Sequence, residues 1–253
     1  MVSDLFASFL LAVQFLTVIP VRSTAEFTPG RVARAMIWFP VVGLLLGGVL
    51  ALADLGLRAI LPPLVSAGLL LGLWVALTGA LHLDGFLDSC DGLFAARSPR
   101  ERLDILRDVH TGSFAVVGGI CLLIVKFALL VELPSTHRAL ALLVVPGLSR
   151  ATVVYAVRAF PYARSGPGLG SLFREGLTWG HVAVVAITAV AAASIALGWI
   201  GLATGACVWL LTIIIAWWVR RRIPGLTGDV YGAINELSEV GALLCILLIA
   251  EAL

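Results

Sequence analysis

Apolar runs long enough to cross a membrane recur along almost the whole chain, and this leaves few architectures open. A crossing helix needs roughly 20 predominantly apolar residues. Runs of about that length fall at 5–21, 35–57, 64–83, 114–133, 139–157, 179–200, 201–219 and 237–253, the last interrupted by Glu239. The chain is 60% hydrophobic and 13% charged, with a mean hydropathy of +1.07, whereas a soluble domain carries about 25% charged residues. The expected fold is therefore all-α: a polytopic integral membrane helical bundle of about 7–8 transmembrane helices. Little sequence remains between the runs, so residues 1–253 are expected to form a single domain. The first run has no basic segment before it and no small-residue cleavage site after it, and reads as a retained helix rather than a signal peptide.

Lys and Arg gather in cytoplasmic loops of membrane proteins. With eight spans, one set of loops holds Arg22, Arg31, Arg34, Arg97, Arg100, Arg102, Arg107, Arg158, Arg164, Arg174 and Arg220 to Arg222, while the opposite set holds only Arg58 and Arg138. This bias predicts a multi-pass protein of the cell (inner) membrane whose cation-rich face is cytoplasmic. Cys90, Cys121, Cys207 and Cys245 have no metal-type spacing; the last three lie in apolar runs and are expected to act as small apolar filling.

Against this background "HLDGFLDSCDG", residues 82–92, stands out at the cytoplasmic end of the third run. If the third helix continues through it at about 100° per residue, Asp84, Asp88 and Asp91 fall within roughly 60° of one another. Like charges so placed need compensation, and Mg²⁺ takes hard carboxylate oxygens together with substrate phosphates and water. His82 points to the opposite side of such a helix, as a supporting or packing residue. Downstream, "RSPRERLDILRDVHTG" carries Ser98, Pro99 and Glu101 in a capping-box pattern, which predicts a short amphipathic cytoplasmic helix near 99–111 with Leu103 and Leu106 inward and Gly112 as its stop. Asp104 and Asp108, four residues apart, share a face there and can fold back over the first cluster.

Two carboxylate groups on adjoining helices suit metal-assisted phosphoryl transfer, one set holding metal and another carboxylate taking the nucleophile's proton. Asp88, Asp91, Gly92, Arg97, Asp104 and Asp108 resemble the signature of CDP-alcohol phosphotransferases, though with a shorter gap before the second pair.

"HLDGFLDSCDGLFAARS" is more closely similar to the signature of the cobalamin synthase family, the adenosylcobinamide-GDP ribazoletransferases. Further matching stretches are "FLTVIPV" at 15–21, "RAMIWFPVVGLLLG" at 34–47, "LSRA" at 148–151, "YARSGPGLG" at 162–170 and "TGDVYGAINELSE" at 227–239. The resemblance implies that a ribose hydroxyl of α-ribazole, or of its 5′-phosphate, attacks the phosphoanhydride of adenosylcobinamide-GDP. GMP leaves and adenosylcobalamin, or its 5′-phosphate, forms. On this footing Asp84, Asp88, Asp91 and Asp104 are the expected ligands of Mg²⁺, and Asp108 is the expected general base. The partners implied are those two small-molecule substrates and the lipid bilayer, with no nucleic acid; a homo-oligomer, or contact with other cobalamin-assembly enzymes, is left open.

Phosphates also call for cations. Arg97 lies beside the acidic motif, and Arg164 lies in the Gly-rich "RSGPGLG". Arg150 sits about two turns inside the fifth run, and an ionisable residue within a membrane segment is a functional candidate. Lys126, deeper still, is expected to pair with a buried acid or line a cavity. Asp229, Asn235 and Glu236, entering the last run, are expected to wall the nucleotide or ribazole pocket, with His82 as a further substrate-side residue. Arg220 to Arg222 read as a lipid anchor. A rival reading, a cation-coupled transporter, would place its acids near the bilayer midplane in duplicated halves; here they crowd one end.

Overall fold

The computed structural model describes residues 2–21, 28–108, 110–164 and 169–252. The helices in chain order are α1 (Val2–Leu16), α2 (Pro29–Met36), α3 (Phe39–Ile60), α4 (Pro63–Thr78), α5 (Leu81–Phe94), α6 (Pro99–Ile105), α7 (Ser113–Glu132), α8 (Ser135–Ala159), α9 (Leu169–Arg174), α10 (Trp179–Leu197), α11 (Trp199–Arg220) and α12 (Gly228–Glu251). Six of them (α3, α7, α8, α10, α11 and α12) are long and apolar enough to cross a membrane, and α4 with α5 makes a seventh span if the bent pair is counted as one. Lipid-type side chains such as Leu52, Ile60 and Ile195 point outward.

Two expectations about the spans are corrected. The run at 5–21 forms only a short apolar helix, Asp4–Leu16, because the chain leaves helical geometry near Thr17. The third run does not continue straight into the acidic motif. It breaks between α4 and α5 with a bend of 92°, where Gly79 and the non-glycine Ala80 both take positive φ, 59° and 56°. For Ala80 that conformation costs roughly 1–2 kcal/mol.

The centre of the bundle is α8, whose apolar stretch is 83% buried. It packs against α3, α10, α11 and α12. Its approach to α3 is backbone on backbone: a Cβ on Gly43 would stand 2.3 Å from the Pro146 carbonyl oxygen, and one on Gly47 2.1 Å from that of Leu143. Gly43 and Gly47 are the small-x3-small pattern by which membrane helices pack without a hydrophobic driving force. At the end away from the acidic motif, Arg138 of α8 grips Asp54 of α3 through two hydrogen bonds, Nε to Oδ2 and Nη2 to Oδ1, each 2.7 Å.

A second close crossing positions the site. A Cβ on Gly85 of α5 would meet the Asp229 carbonyl oxygen at 2.8 Å, and one on Gly232 of α12 would meet the His82 carbonyl oxygen at 2.8 Å. These reciprocal glycines let the start of α5 lie directly on the start of α12.

Candidate functional site: an acidic mouth over a buried ionic network

The end of the bundle that carries the acidic motif is built by α5, α6 and the first turn of α12. α6 opens with the expected capping box: Ser98 Oγ accepts from Glu101 N, and the Glu101 carboxylate accepts from Ser98 N at 2.9 Å. Those hydrogen bonds, from the Ser98 hydroxyl first and its backbone second, hold the Glu101 carboxyl below its ordinary value. The helix ends at Ile105, earlier than the expected 111. Gly112 does not stop it but opens α7 as that helix's N-cap. As expected, α6 folds back on α5. Leu106 is buried against Gly92, where a Cβ would meet the Leu106 Cγ at 2.5 Å. Arg102 Nη1 donates to the carbonyls of Gly92 and Leu93, closing the C-terminus of α5.

Asp84 is exposed on α5, while Asp88 and Asp91 are half-buried. The charges acting most strongly on Asp88 are Asp84, Asp229 and Asp91, opposed by Arg164. Asp229 therefore joins the α5 acids, brought there by the Gly85–Gly232 crossing. Arg164 Nη2 donates to Asp229 Oδ2 and to the Leu106 carbonyl, both at 2.8 Å, and so ties α6 to α12 beside the acids. Thr227 caps α12 through its hydroxyl, which accepts from Val230 N.

Asp91 has a role that helical spacing did not reveal. Its Oδ2 accepts from Gly112 N at 2.7 Å and its Oδ1 from Ala115 N at 2.9 Å, so the carboxylate of one helix caps the start of another. Asp104 is exposed on α6; Asp108 is exposed too but lies three residues beyond the end of that helix, so the two do not share a helical face as the spacing predicted. Asp108 Oδ1 lies 2.6 Å from His110 Nδ1. Arg97 is exposed at the α5–α6 turn. Residues 165–168 of the Gly-rich loop, and Arg22, lie outside the described residues.

Beneath the mouth lies a buried ionic network. Lys126 Nζ of α7 donates to Glu236 Oε2 at 3.0 Å and to Glu239, and stands 4.3 Å from the centre of the Trp74 ring. Glu239 Oε1 also accepts from Arg150 Nη1 (3.2 Å), Asn235 Nδ2 (3.2 Å) and Ser149 Oγ (3.3 Å). Two cations and two carboxylates make the group formally neutral. The expected buried acid for Lys126 is found, twice over. Arg150, Asn235 and Glu236 are turned toward this network, Arg150 being fully buried with its Nε and Nη2 unpaired. His82, as its angular position on α5 implied, faces inward, with Arg150, Glu239 and Lys126 as its charged neighbours. Glu239 is the hub of the network, and its only sequence mark was an acid inside an apolar run. Of the cysteines, Cys90 is buried, Cys207 and Cys245 are half-buried where α11 packs on α12, and Cys121 is exposed.

Among the described residues no three His, Cys, Asp or Glu side chains stand close enough together to hold a metal ion by themselves. The donor chemistry nonetheless fits Mg²⁺, which commonly takes one or two carboxylates and completes its shell with substrate phosphates and water. Asp84, Asp88 and Asp229 supply hard oxygens at one mouth, where the Arg164 guanidinium is paired with Asp229.

Comparison with known proteins agrees with the residues. The chain is 40% identical over 238 residues to an adenosylcobinamide-GDP ribazoletransferase of Deinococcus radiodurans, covering 93% of this chain and 83% of that one. It is 39% identical over 251 residues to the enzyme of that name from Pseudomonas paraeruginosa (97% and 98% covered) and 38% identical to that of Desulfitobacterium hafniense (91% and 92%). No solved structure matches. A family profile described as cobalamin-5-phosphate synthase matches residues 8–247, and the chain belongs to that family.

Proposed function

We propose that the acidic mouth formed by α5, α6 and the start of α12 is the place where this chain carries out phosphoanhydride transfer, facing the cytoplasm from the inner membrane. The chain is an adenosylcobinamide-GDP ribazoletransferase of cobalamin biosynthesis. In that reaction the hydroxyl oxygen of the ribazole forms a bond to phosphorus, the bond to the GMP oxygen breaks, and the hydroxyl proton must be taken up. The observation that carries the reading is a charge imbalance confined to one place. The buried network balances two acids with two cations, whereas among the described residues the charges acting on Asp88 are three carboxylates, Asp84, Asp229 and Asp91, against the one guanidinium of Arg164, itself paired with Asp229.

In this reading Asp88, with Asp84 and Asp229 beside it, would hold Mg²⁺. The ion, when bound, neutralises phosphate charge and polarises the phosphoanhydride oxygens. Asp91 keeps α7 in register and has lone pairs left over to serve the same shell; Asp104 stands by on α6. Arg164 is already anchored at the mouth, with its Nε unpaired, and turns toward the substrate phosphates, with Arg97 as an outer contact. Asp108, in the turn that follows α6, takes the hydroxyl proton; its amide donates to the Ile105 carbonyl, which ties that turn to the end of the helix. Arg150, Asn235, Glu236 and His82 act from below, fixing α8 and α12 under the floor of the site. The concentration of Arg at this end supports the cytoplasmic orientation. Residues 1–253 act as one domain.

Membranes containing the protein, supplied with adenosylcobinamide-GDP, α-ribazole 5′-phosphate and Mg²⁺, release GMP. A chelator, or Asp88→Ala, lowers that release by about a hundredfold or more. Undiminished GMP release by Asp88→Ala would refute the assignment.

A further inference from the structure

Beside the acidic mouth, between α1, α2, α3, α5, α8, α9 and α12, lies a cavity of about 240 Å³. That is room for about eight waters at liquid density, far too little for a corrin macrocycle. Three of its walls are phenyl rings that touch one another: Phe15 and Phe39 have centroids 6.0 Å apart and nearly parallel planes, and Phe173 stands 5.0 Å from Phe15 and 6.4 Å from Phe39. Met36, Val153 and Val157 add aliphatic surface, and Asp84 and Asp229 stand on the rim. Two polar side chains also line it, and both carry an atom without a hydrogen-bond partner among the described residues. His82 and Tyr231 are each only 6% exposed, and neither His82 Nδ1 nor Tyr231 Oη is paired. Neither atom has open surface in the cavity as it stands; because a buried hydroxyl left unpaired costs about 1–3 kcal/mol, an acceptor arriving in the cavity would draw Tyr231 Oη toward it.

We infer that this cavity is the subsite for the aromatic base of the acceptor, the dimethylbenzimidazole ring of α-ribazole. The inference rests on the acidic mouth being the transfer site. A benzimidazole joined to ribose through one nitrogen has a single remaining ring nitrogen, an acceptor, and otherwise presents carbon. Tyr231 O–H serves that nitrogen, the phenyl rings of Phe15, Phe39 and Phe173 cover the ring, and His82 Nδ1 is left for a ribose hydroxyl. With the base seated, the ribose emerges at Asp84 and Asp229, next to Asp88, where its hydroxyl has to react. Guanine, the base of the other substrate, presents donors and acceptors along two edges, and most would go unpaired against this lining. An acyl chain would leave Tyr231 and His82 as they are.

The test separates binding from turnover. Full-length protein in detergent, without donor or Mg²⁺, is titrated with α-ribazole and followed by the fluorescence of the benzimidazole. Tyr231→Phe raises the dissociation constant about two- to tenfold, and Phe173→Leu raises it about fivefold or more, while KM for adenosylcobinamide-GDP stays within twofold. The unmutated protein needs no folding control and gives a second reading. Removing both ring methyls from the acceptor weakens binding by about tenfold, and replacing the base by adenine weakens it further. Adenine bound as well as dimethylbenzimidazole would overturn the assignment. So would variants that raise KM for the donor alone, which would give the cavity to guanine, or variants that move neither constant. Asp88→Ala should bind α-ribazole normally and fail to turn it over. If instead Asp88→Ala still releases GMP, the metal assignment falls, and the base subsite is judged by the titration.

Discussion

The crossing of α5 over α12 allows the sharpest test of how the fold positions the site. Gly85→Ala would place a methyl 2.8 Å from the Asp229 carbonyl oxygen, 3.1 Å from its Cα and 3.3 Å from its carbonyl carbon. All three are backbone atoms in the first turn of α12 and cannot swing aside as a side-chain tip would. Ordinary carbon contacts begin near 3.5 Å, so the two helices must part by roughly 0.5–1 Å. Overpacking of this kind costs about 1–3 kcal/mol, against which the better helix propensity of Ala returns at most about 1 kcal/mol. Activity falls more than stability does, since the parted helices carry Asp84 and Asp88 on one side and Asp229 on the other, and a displacement of about 1 Å in a catalytic array can cost about a hundredfold. Gly72→Ala is the control, as nothing lies within 4 Å of its added Cβ. GMP release and thermal unfolding in detergent are measured on both variants. Gly85→Ala should lose most of its turnover while still folding, and Gly72→Ala should match the parent or melt slightly higher. Full turnover in Gly85→Ala would mean that the separation of α5 and α12 does not set the geometry of the mouth.

Lys126→Met strips both Glu236 and Glu239 of a buried cation and should destabilise the protein by about 3–5 kcal/mol; adding Glu239→Gln should recover part of that loss, as read from yield and melting temperature in detergent. Asp91→Ala frees the amides of Gly112 and Ala115 and should cost about 1–2 kcal/mol through fraying of α7; an unchanged melting temperature together with weakened Mg²⁺ dependence would make Asp91 a ligand rather than a cap. The Glu101 carboxyl is held below its ordinary value by Ser98, so its folded-state value is depressed. Its support of α6 is then fully present above the ordinary glutamate range and is lost as pH falls through the depressed value. Amide protection at the start of α6, taken relative to the intrinsic exchange rate at each pH, should fall on acidification in the parent and be low and less pH-sensitive in Ser98→Ala.

What could be read from the chain was mostly local. The start of α6 was legible because Ser98, Pro99 and Glu101 meet within one turn. The inward face of His82 and the shared face of the α5 acids followed from helical rotation alone. The depth of Lys126 pointed to a buried acid or a cavity, but neither which of the two nor the identity of the acids, because Glu236 and Glu239 lie 110 and 113 residues away. The capping of α7 by Asp91 was hidden for a related reason: its partners are backbone amides, which leave no mark in a side-chain pattern. The length of the first run was overestimated because hydropathy continues through Val18, Ile19 and Val21, while the helix ends at Leu16. The cavity beside the mouth drew on α1, α3 and α9 for its phenyl rings, and nothing in the sequence around Phe15, Phe39 or Phe173 ties them to residues 82–88.

The break between α4 and α5 shows why the acids could not simply extend a crossing helix. A straight helix from Pro63 to Phe94 would be about 48 Å long at 1.5 Å per residue, against a hydrocarbon thickness of about 30 Å. Asp84 to Asp91 would then stand well out in water, beyond the first turn of α12. Turning by 92° at Gly79 and Ala80 keeps them at the surface of the bundle. There Gly85 can meet Gly232, Arg164 can reach Asp229, and His82 can face the Lys126–Glu239 network. The roughly 1–2 kcal/mol held in the left-handed Ala80 is the kind of local strain that persists where surrounding contacts over-determine a functional geometry. Here those contacts are the α5–α12 crossing at His82 and Gly85, at the start of the motif, and the Arg102 and Leu106 contacts of α6 at its far end. The same turn sends the acid face of α5 toward the mouth and its His82 face toward the core, so one broken helix serves both the transfer site and the ionic floor beneath it.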